Sequence, residues 1–319
     1  MEKSDFDLLV IGDINADLVL KGDDPVPVFG QVEKLVDVGL LTIGGSASIM
    51  ACAAARLGLR AACIGVLGDD ALGAYMQSAL LARGVDISAC PVDPVRQTGV
   101  TVTLTTSGGG DRAMLTAIGT AAELTADAVD RDVLRRSRHL HCAAYFMQPR
   151  LWPQLAALFM EAQSLGVTCS LDTNWDPTET WDHGLQAVLQ HCDLFLPNEH
   201  EALKISGCSD VAAAAARLAG GGGATVAVKL GVGGAIVREG ARTLRAAAPE
   251  FDVMDTIGAG DAFDAGYIFG YLLDWEAERC LSLAVACGTL STRAVGGVDG
   301  QPTLADAQAL ASTIRVSAV

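Results

Sequence analysis

The feature that most constrains this chain is an alternation. Short apolar runs rich in β-branched residues fall at residues 8–12, 61–67, 139–146, 167–171, 194–196 and 225–230. Between them lie segments whose apolar residues recur at spacings of three and four. After Asp69, a candidate N-cap, Leu72, Tyr75, Met76, Ala79 and Leu80 share one helical face that ends at Gly84. Leu151, Leu155, Leu158, Phe159 and Ala162 repeat the pattern, stopped by Gly166. Nearly continuous apolar strands joined by helices predict an α/β fold: a doubly wound, mostly parallel sheet with helices on both faces. Residues 1–319 are read as a single domain with an elaboration.

The elaboration is visible where the alternation breaks. Residues 18–43 read as strand, Pro-rich turn, strand, and residues 99–118 as a hairpin around Ser-Gly-Gly-Gly at 107–110. Strands without intervening helices fit a small separate β-sheet, a candidate lid. Its open edges suit a homodimer through the lid. Thirty-eight acidic against 22 basic side chains, a net charge of -16, argue against nucleic acid as a partner. The nine cysteines include no C-x-x-C pair and sit mostly in apolar runs, so they read as buried hydrophobes of a reducing compartment. The uncharged stretch 38–55 holds Gly44-Gly45 and two serines and reads as strand, turn and buried helix, not a membrane span. With no secretion signal at the N-terminus, a cytoplasmic protein is expected.

Ligands of a doubly wound sheet bind beyond the carboxyl ends of its strands. Several predicted strands run there into Asp13 and Asp17, Asp69, Asp172 and Asn174, Asn198 and Glu201, and Gly231. The sharpest local feature is Asp255-Thr-Ile-Gly258-Ala259-Gly260-Asp261-Ala-Phe263-Asp264-Ala-Gly266. A glycine turn feeding a helix offers free amides at a positive dipole end, which suits a phosphate. An acid in that site would repel the anion unless it takes a proton from an attacking hydroxyl, help worth about 10²–10⁴ in rate. Turn and base together point to phosphoryl transfer onto an alcohol. Phe263 stands where a dinucleotide G-x-G-x-x-G has its third glycine, which disfavours an NAD-dependent oxidoreductase.

These residues resemble the ribokinase-like (PfkB) carbohydrate kinases. Asp255 to Gly266 matches the DTxGAGD signature; Gly44-Gly45-Ser46 through Gly58, then Val66-Leu67-Gly68-Asp69-Asp70 and Gly73, resemble the N-terminal one. Asn198-Glu-His-Glu201 fits N-x-x-E, and Lys229-Leu-Gly231 the nucleotide-side strand end. The resemblance implies ATP as co-substrate, Mg²⁺, K⁺ as a candidate monovalent cation, and a sugar or nucleoside acceptor. It makes Asp261 the base and the amides of Gly258, Ala259 and Gly260 an anion hole. Asn198 and Glu201 would hold Mg²⁺ through water, with Asp255 near a monovalent cation. Lys229, Gly231 and Gly234 would lie along the nucleotide; Asp17, Gly44, Gly45, Ile49, Arg112 and Asp172 would bind the acceptor.

Two positions depart from the pattern. Ile49 stands where the family usually has Asn, and Val285 where Asn often approaches the adenine. The first suggests an acceptor with an apolar face and keeps a nucleoside kinase open as an alternative. A catalytically silent sugar or nucleotide sensor is the rival from another class. His139 and His141 read as ordinary strand histidines, and Phe251 and Phe263 as core.

Overall fold

A computed structural model describes residues 5–106, 112–220 and 223–319. The turn expected at 107–110 and two glycines of the 220–223 connector lie outside them. In chain order the elements are β1 (Leu8–Ile11), β2 (Asn15–Gly22), β3 (Val38–Gly44), α1 (Ser46–Leu57), β4 (Ala61–Ile64), β5 (Leu67–Gly68), α2 (Ala71–Ala82), β6 (Val92–Asp93), β7 (Gly99–Thr106) and β8 (Arg112–Ala117). There follow α3 (Arg131–Arg135), β9 (His139–Cys142), α4 (Leu155–Ser164), β10 (Thr168–Leu171), α5 (Leu185–Leu189), β11 (Leu194–Phe195), α6 (Glu199–Ser206), α7 (Val211–Gly220), β12 (Thr225–Lys229), β13 (Ala235–Glu239), β14 (Arg242–Ala246), α8 (Ala259–Leu272), α9 (Ala277–Ser291), α10 (Leu304–Ala311) and β15 (Val316–Ala318).

The main sheet has the order β15-β14-β13-β12-β11-β10-β9-β1-β4. The run from β12 to β4 is parallel, and β13, β14 and β15 extend it antiparallel. Alternate residues of one strand enter different cores. Leu8 and Val10 pack with α1, α8 and α9, while Leu9 and Ile11 pack with α4, α5 and α7. That two-sided burial is why the strands read as apolar without alternation. The second sheet, β3-β2-β7-β8, is separate, and its β2 and β7 pair in parallel, as the helix-containing connection between them permits.

Some boundaries differ from the sequence expectation. The N-cap of α2 is Asp70, whose side chain accepts from the amide of Gly73 at 2.7 Å, not Asp69. The 61–67 run divides into β4 and β5, because Leu67 leaves the main sheet to pair with Val92. The helical pattern beginning at Leu151 becomes α-helix only at Leu155. Among the described residues, no helix is long and apolar enough to cross a membrane.

Candidate active site

The carboxyl ends of β1, β10 and β12, the first turns of α1, α6 and α8, and the inner face of the small sheet surround a cavity of about 990 Å³. Asp17, Gly45, Ile49, Arg112, Asp172, Asn198, Glu201, Lys229, Gly231, Gly234, Gly258, Ala259, Gly260 and Asp261 all line it. Residues from position 17 to 261 thus converge on one space. Gly44 and Asp255 stand behind the lining.

Helix α8 begins at Gly258, whose φ of 72° is the left-handed conformation that glycine adopts without strain. A methyl group there would lie 2.7 Å from Ile49 Cγ2 and from the Gly297 carbonyl. Ile49 is therefore packed under the turn, 4% exposed, as well as lining the cavity. The Ala259 amide reaches Thr256 O at 3.3 Å, and no side chain caps the helix, so its first turn keeps donors for a ligand. Asp261 stands in that turn and accepts a short hydrogen bond from Ser46 Oγ at the start of α1. Burial, more than the nearby Asp172 and Asp13 carboxyls, pushes its proton affinity up to about 7, against the hydrogen bond from Ser46 and the ammonium of Lys229. Asp13 in turn accepts from the amides of Ser46 and Ala47, each at 3.1 Å. Sequence reasoning placed Asp13 on the rim but missed its task of capping α1 where Gly45 offers no side chain.

At the small-sheet end, Asn15 Nδ2 donates to Asp17 Oδ1 at 3.0 Å and to Thr101 Oγ1 at 3.3 Å. Gly44 explains itself here: a methyl group on it would lie 2.0 Å from Asp17 Oδ1, so the carboxyl occupies its side-chain space. Burial, aided by Asp13, raises Asp17 to about 7. Arg112 of β8 donates from Nη1 to Thr256 Oγ1 at 2.9 Å, joining the small sheet to the loop before α8.

At the other end, Asn198 and Glu201 form the capping box of α6. Glu201 Oε2 accepts from the Asn198 amide at 2.9 Å and from Thr173 Oγ1 at 3.0 Å, and burial lifts this carboxyl to about 7. Asp255 is similarly occupied, accepting from the amides of Ile257 at 3.0 Å and Gly296 at 2.9 Å. Lys229 ends β12 against Asp264 Oδ1 and Oδ2 at 3.1 and 3.0 Å and Asp172 Oδ2 at 3.2 Å. Among the described residues, Asp172 Oδ1 is buried without a hydrogen-bond partner. Asp264 carried no distinct signal in the sequence, because an acid on a helix is ordinary until the fold brings a buried lysine to it.

Of the remaining candidates, His139 and His141 are buried and share Ser170 Oγ at 2.7 and 2.8 Å. Phe263 is core, but Phe251 is 37% exposed and lines the cavity, so the core expectation fails for it. It belongs to a segment without regular structure at the cavity wall. Val285 lines the cavity too.

Residues 5–304 match the pattern of the pfkB family carbohydrate kinases. The chain is 30% identical over 311 residues to an ATP-dependent ribose-1-phosphate kinase of Halopiger xanaduensis, covering 95% of this chain and 96% of that protein. It is 32% identical over 274 residues to a fructoselysine 6-kinase of Shigella flexneri, covering 84% and 92%. A crystal structure from Escherichia coli, described as a ribokinase II in complex with ATP and Mg²⁺, superposes with a TM-score of 0.84 at 25% identity, covering 97% of this chain and 99% of that one.

Proposed function

This chain belongs to the pfkB family of carbohydrate kinases, and from that premise we propose that it transfers the γ-phosphoryl group of ATP to a hydroxyl of a monosaccharide or sugar derivative with Asp261 as base. The observation that carries the reading is the union, in one cavity, of a half-buried carboxyl poised near neutrality with an uncapped helix turn. The acceptor oxygen attacks the γ-phosphorus, its proton passes to Asp261, and the bond from that phosphorus to the β,γ-bridging oxygen breaks. ADP leaves with the electron pair, the phosphorylated sugar forms, and the proton goes on to solvent. The amides of Gly258, Ala259 and Gly260 receive the charge on the transferring group.

Asp17, with the space left by Gly44 and Gly45, accepts hydrogen bonds from the acceptor's hydroxyls, and Ile49 and Arg112 bound the same end. Lys229, Gly231 and Gly234 flank the nucleotide, with Phe251 and Val285 at the base. The oxygen donors of Asn198 and Glu201, both already hydrogen-bonded, fit a magnesium ion held through its waters, and the unpartnered Asp172 Oδ1 offers one more acceptor. A magnesium ion held there would supply charge neutralisation for the phosphates of ATP. The loop at Asp255 is the place for K⁺. Residues 1–319 form a single kinase domain, and β2, β3, β7 and β8 form its lid, with the Arg112–Thr256 contact as a latch. The exposed Val38, Leu41, Met114 and Leu115 on the lid's edge strands suit a second copy of the chain. The reducing interior implied by nine free cysteines suits a cytoplasmic enzyme.

The test is a coupled ADP-release assay with Mg-ATP against ribose, ribose 1-phosphate, fructose, fructoselysine, 2-keto-3-deoxygluconate and nucleosides. Release that needs one sugar acceptor and Asp261 is the expected result. Nucleoside-only release would move the acceptor class. Thermal stabilisation by ligands without any ADP release would turn the reading to a sensor.

A further inference from the structure

Helix α8 carries two carboxylates one turn apart, Asp261 half-buried at the cavity and Asp264 fully buried, and the reaction as written uses only Asp261. Asp264 is 0% exposed, and among the described residues its single ionic partner is the ammonium of Lys229, which touches both of its oxygens. The lysine crosses directly beneath the anion-binding turn: a methyl group on Gly260 would lie 3.6 Å from Nζ and 3.8 Å from Cδ. A buried pair of this kind is a poor source of stability, because desolvating both ions offsets their attraction. Its position between base and anion hole gives it another task.

We propose that Asp264 is a positioning residue for the reaction: it holds the Lys229 ammonium beside Gly260 and masks its charge, so that Asp261 remains a strong enough base to take the acceptor's proton. The inference rests on the phosphoryl-transfer reading above. The groups around Asp261 are Ser46 from α1, Asp13 after β1, Asp172 after β10, Glu201 on α6, Lys229 on β12 and Asp264 on its own helix. Burial pushes the proton affinity of Asp264 up, and the Lys229 ammonium in contact with both of its oxygens opposes that and holds it as the carboxylate, so Lys229 with Asp264 and Asp172 sums to one negative charge. Neutralising Asp264 alone brings that sum to zero and leaves the ammonium to act on Asp261. Removing the lysine as well restores one negative charge, carried by Asp172. Lys229 lowers the proton affinity of Asp261 while Asp172 raises it, in keeping with that sum.

The experiment titrates Asp261 directly, in protein labelled with ¹³C at aspartate carboxyls, its resonance identified by its loss in Asp261→Asn. In Asp264→Asn the Asp261 midpoint is expected to fall by roughly one pH unit, the size an unmasked neighbouring charge produces. In Asp264→Asn/Lys229→Met it is expected to return to within a few tenths of a unit of the wild type. A midpoint unmoved in the single variant, or not restored in the double, overturns the proposal. If the single variant does not fold, the neutral double variant carries the kinetic test: the wild-type midpoint with kcat reduced at least roughly tenfold and KM for the acceptor little changed supports a positioned ammonium. Wild-type kcat in that variant reduces the pair to packing and refutes the idea. The titration needs no turnover, so a wild type with no acceptor-dependent ADP release would fail the kinase reading while the charge coupling is still measured.

Discussion

Replacing Asp261 by Asn keeps the shape of the side chain and its contact with Ser46 and removes only the capacity to accept a proton. At pH 7 a carboxyl held at about 7 is half ionised. Below that pH, kcat/KM for the acceptor falls tenfold per unit as the base is protonated, which gives an acid limb with a midpoint near 7. The Asn variant loses the proton acceptor at every pH, so its turnover drops by about 10²–10⁴, or roughly 3–5 kcal/mol of barrier. ATP should bind within a few-fold of wild type, and no more weakly, because a negative charge has left the neighbourhood of the amide turn. Coupled ADP release between pH 5.5 and 8.5 reads the first effect, and calorimetry with a non-hydrolysable ATP analogue the second. Turnover within a few-fold of wild type refutes Asp261 as base.

Gly44→Ala drives a methyl group into the Asp17 carboxyl, so the acceptor KM should rise about 10–100-fold, the worth of one or two hydrogen bonds to a charged group, with KM for ATP unchanged; equal rises in both would place Asp17 elsewhere. Asp17, Glu201 and Asp261 are each raised to about 7, chiefly by burial, so the native state holds these protons more tightly than the unfolded chain does. Their contribution is fully present below the unfolded carboxylate range and lost as pH rises through about 7, so the urea midpoint of the ligand-free protein should fall from pH 5 to pH 8; a rising midpoint contradicts the assignment. Asn198→Ala removes the α6 cap at a cost of about 1 kcal/mol and should also raise the Mg²⁺ concentration for half-maximal rate. Lost stability with unchanged Mg²⁺ dependence would confine the N-x-x-E motif to capping.

What the chain declares locally was readable. Strand and helix periods, the glycine turn at Gly258 and the acid three residues beyond it are set by dihedral and spacing preferences within a dozen residues. They yielded the α/β alternation, the separate lid strands and the candidate base. One-residue shifts such as the Asp70 cap mark the limit of that reading, since two adjacent acids compete for the cap and only the position of Thr98, whose amide and hydroxyl also meet Asp70, selects one. Other features depended on strand order. Gly44 read as part of a strand-to-helix glycine turn, and only the pairing of β2 with β3 brings the Asp17 carboxyl into its side-chain space. Ile49 read as an apolar neighbour for the acceptor, yet it also wedges beneath Gly258, from a helix more than two hundred residues earlier. The charge cluster of Asp172, Lys229 and Asp264 joins the ends of two strands that flank β11 to a helix beyond both. A carboxylate's proton affinity is set by whatever the fold packs around it, and no local window of sequence contains that environment.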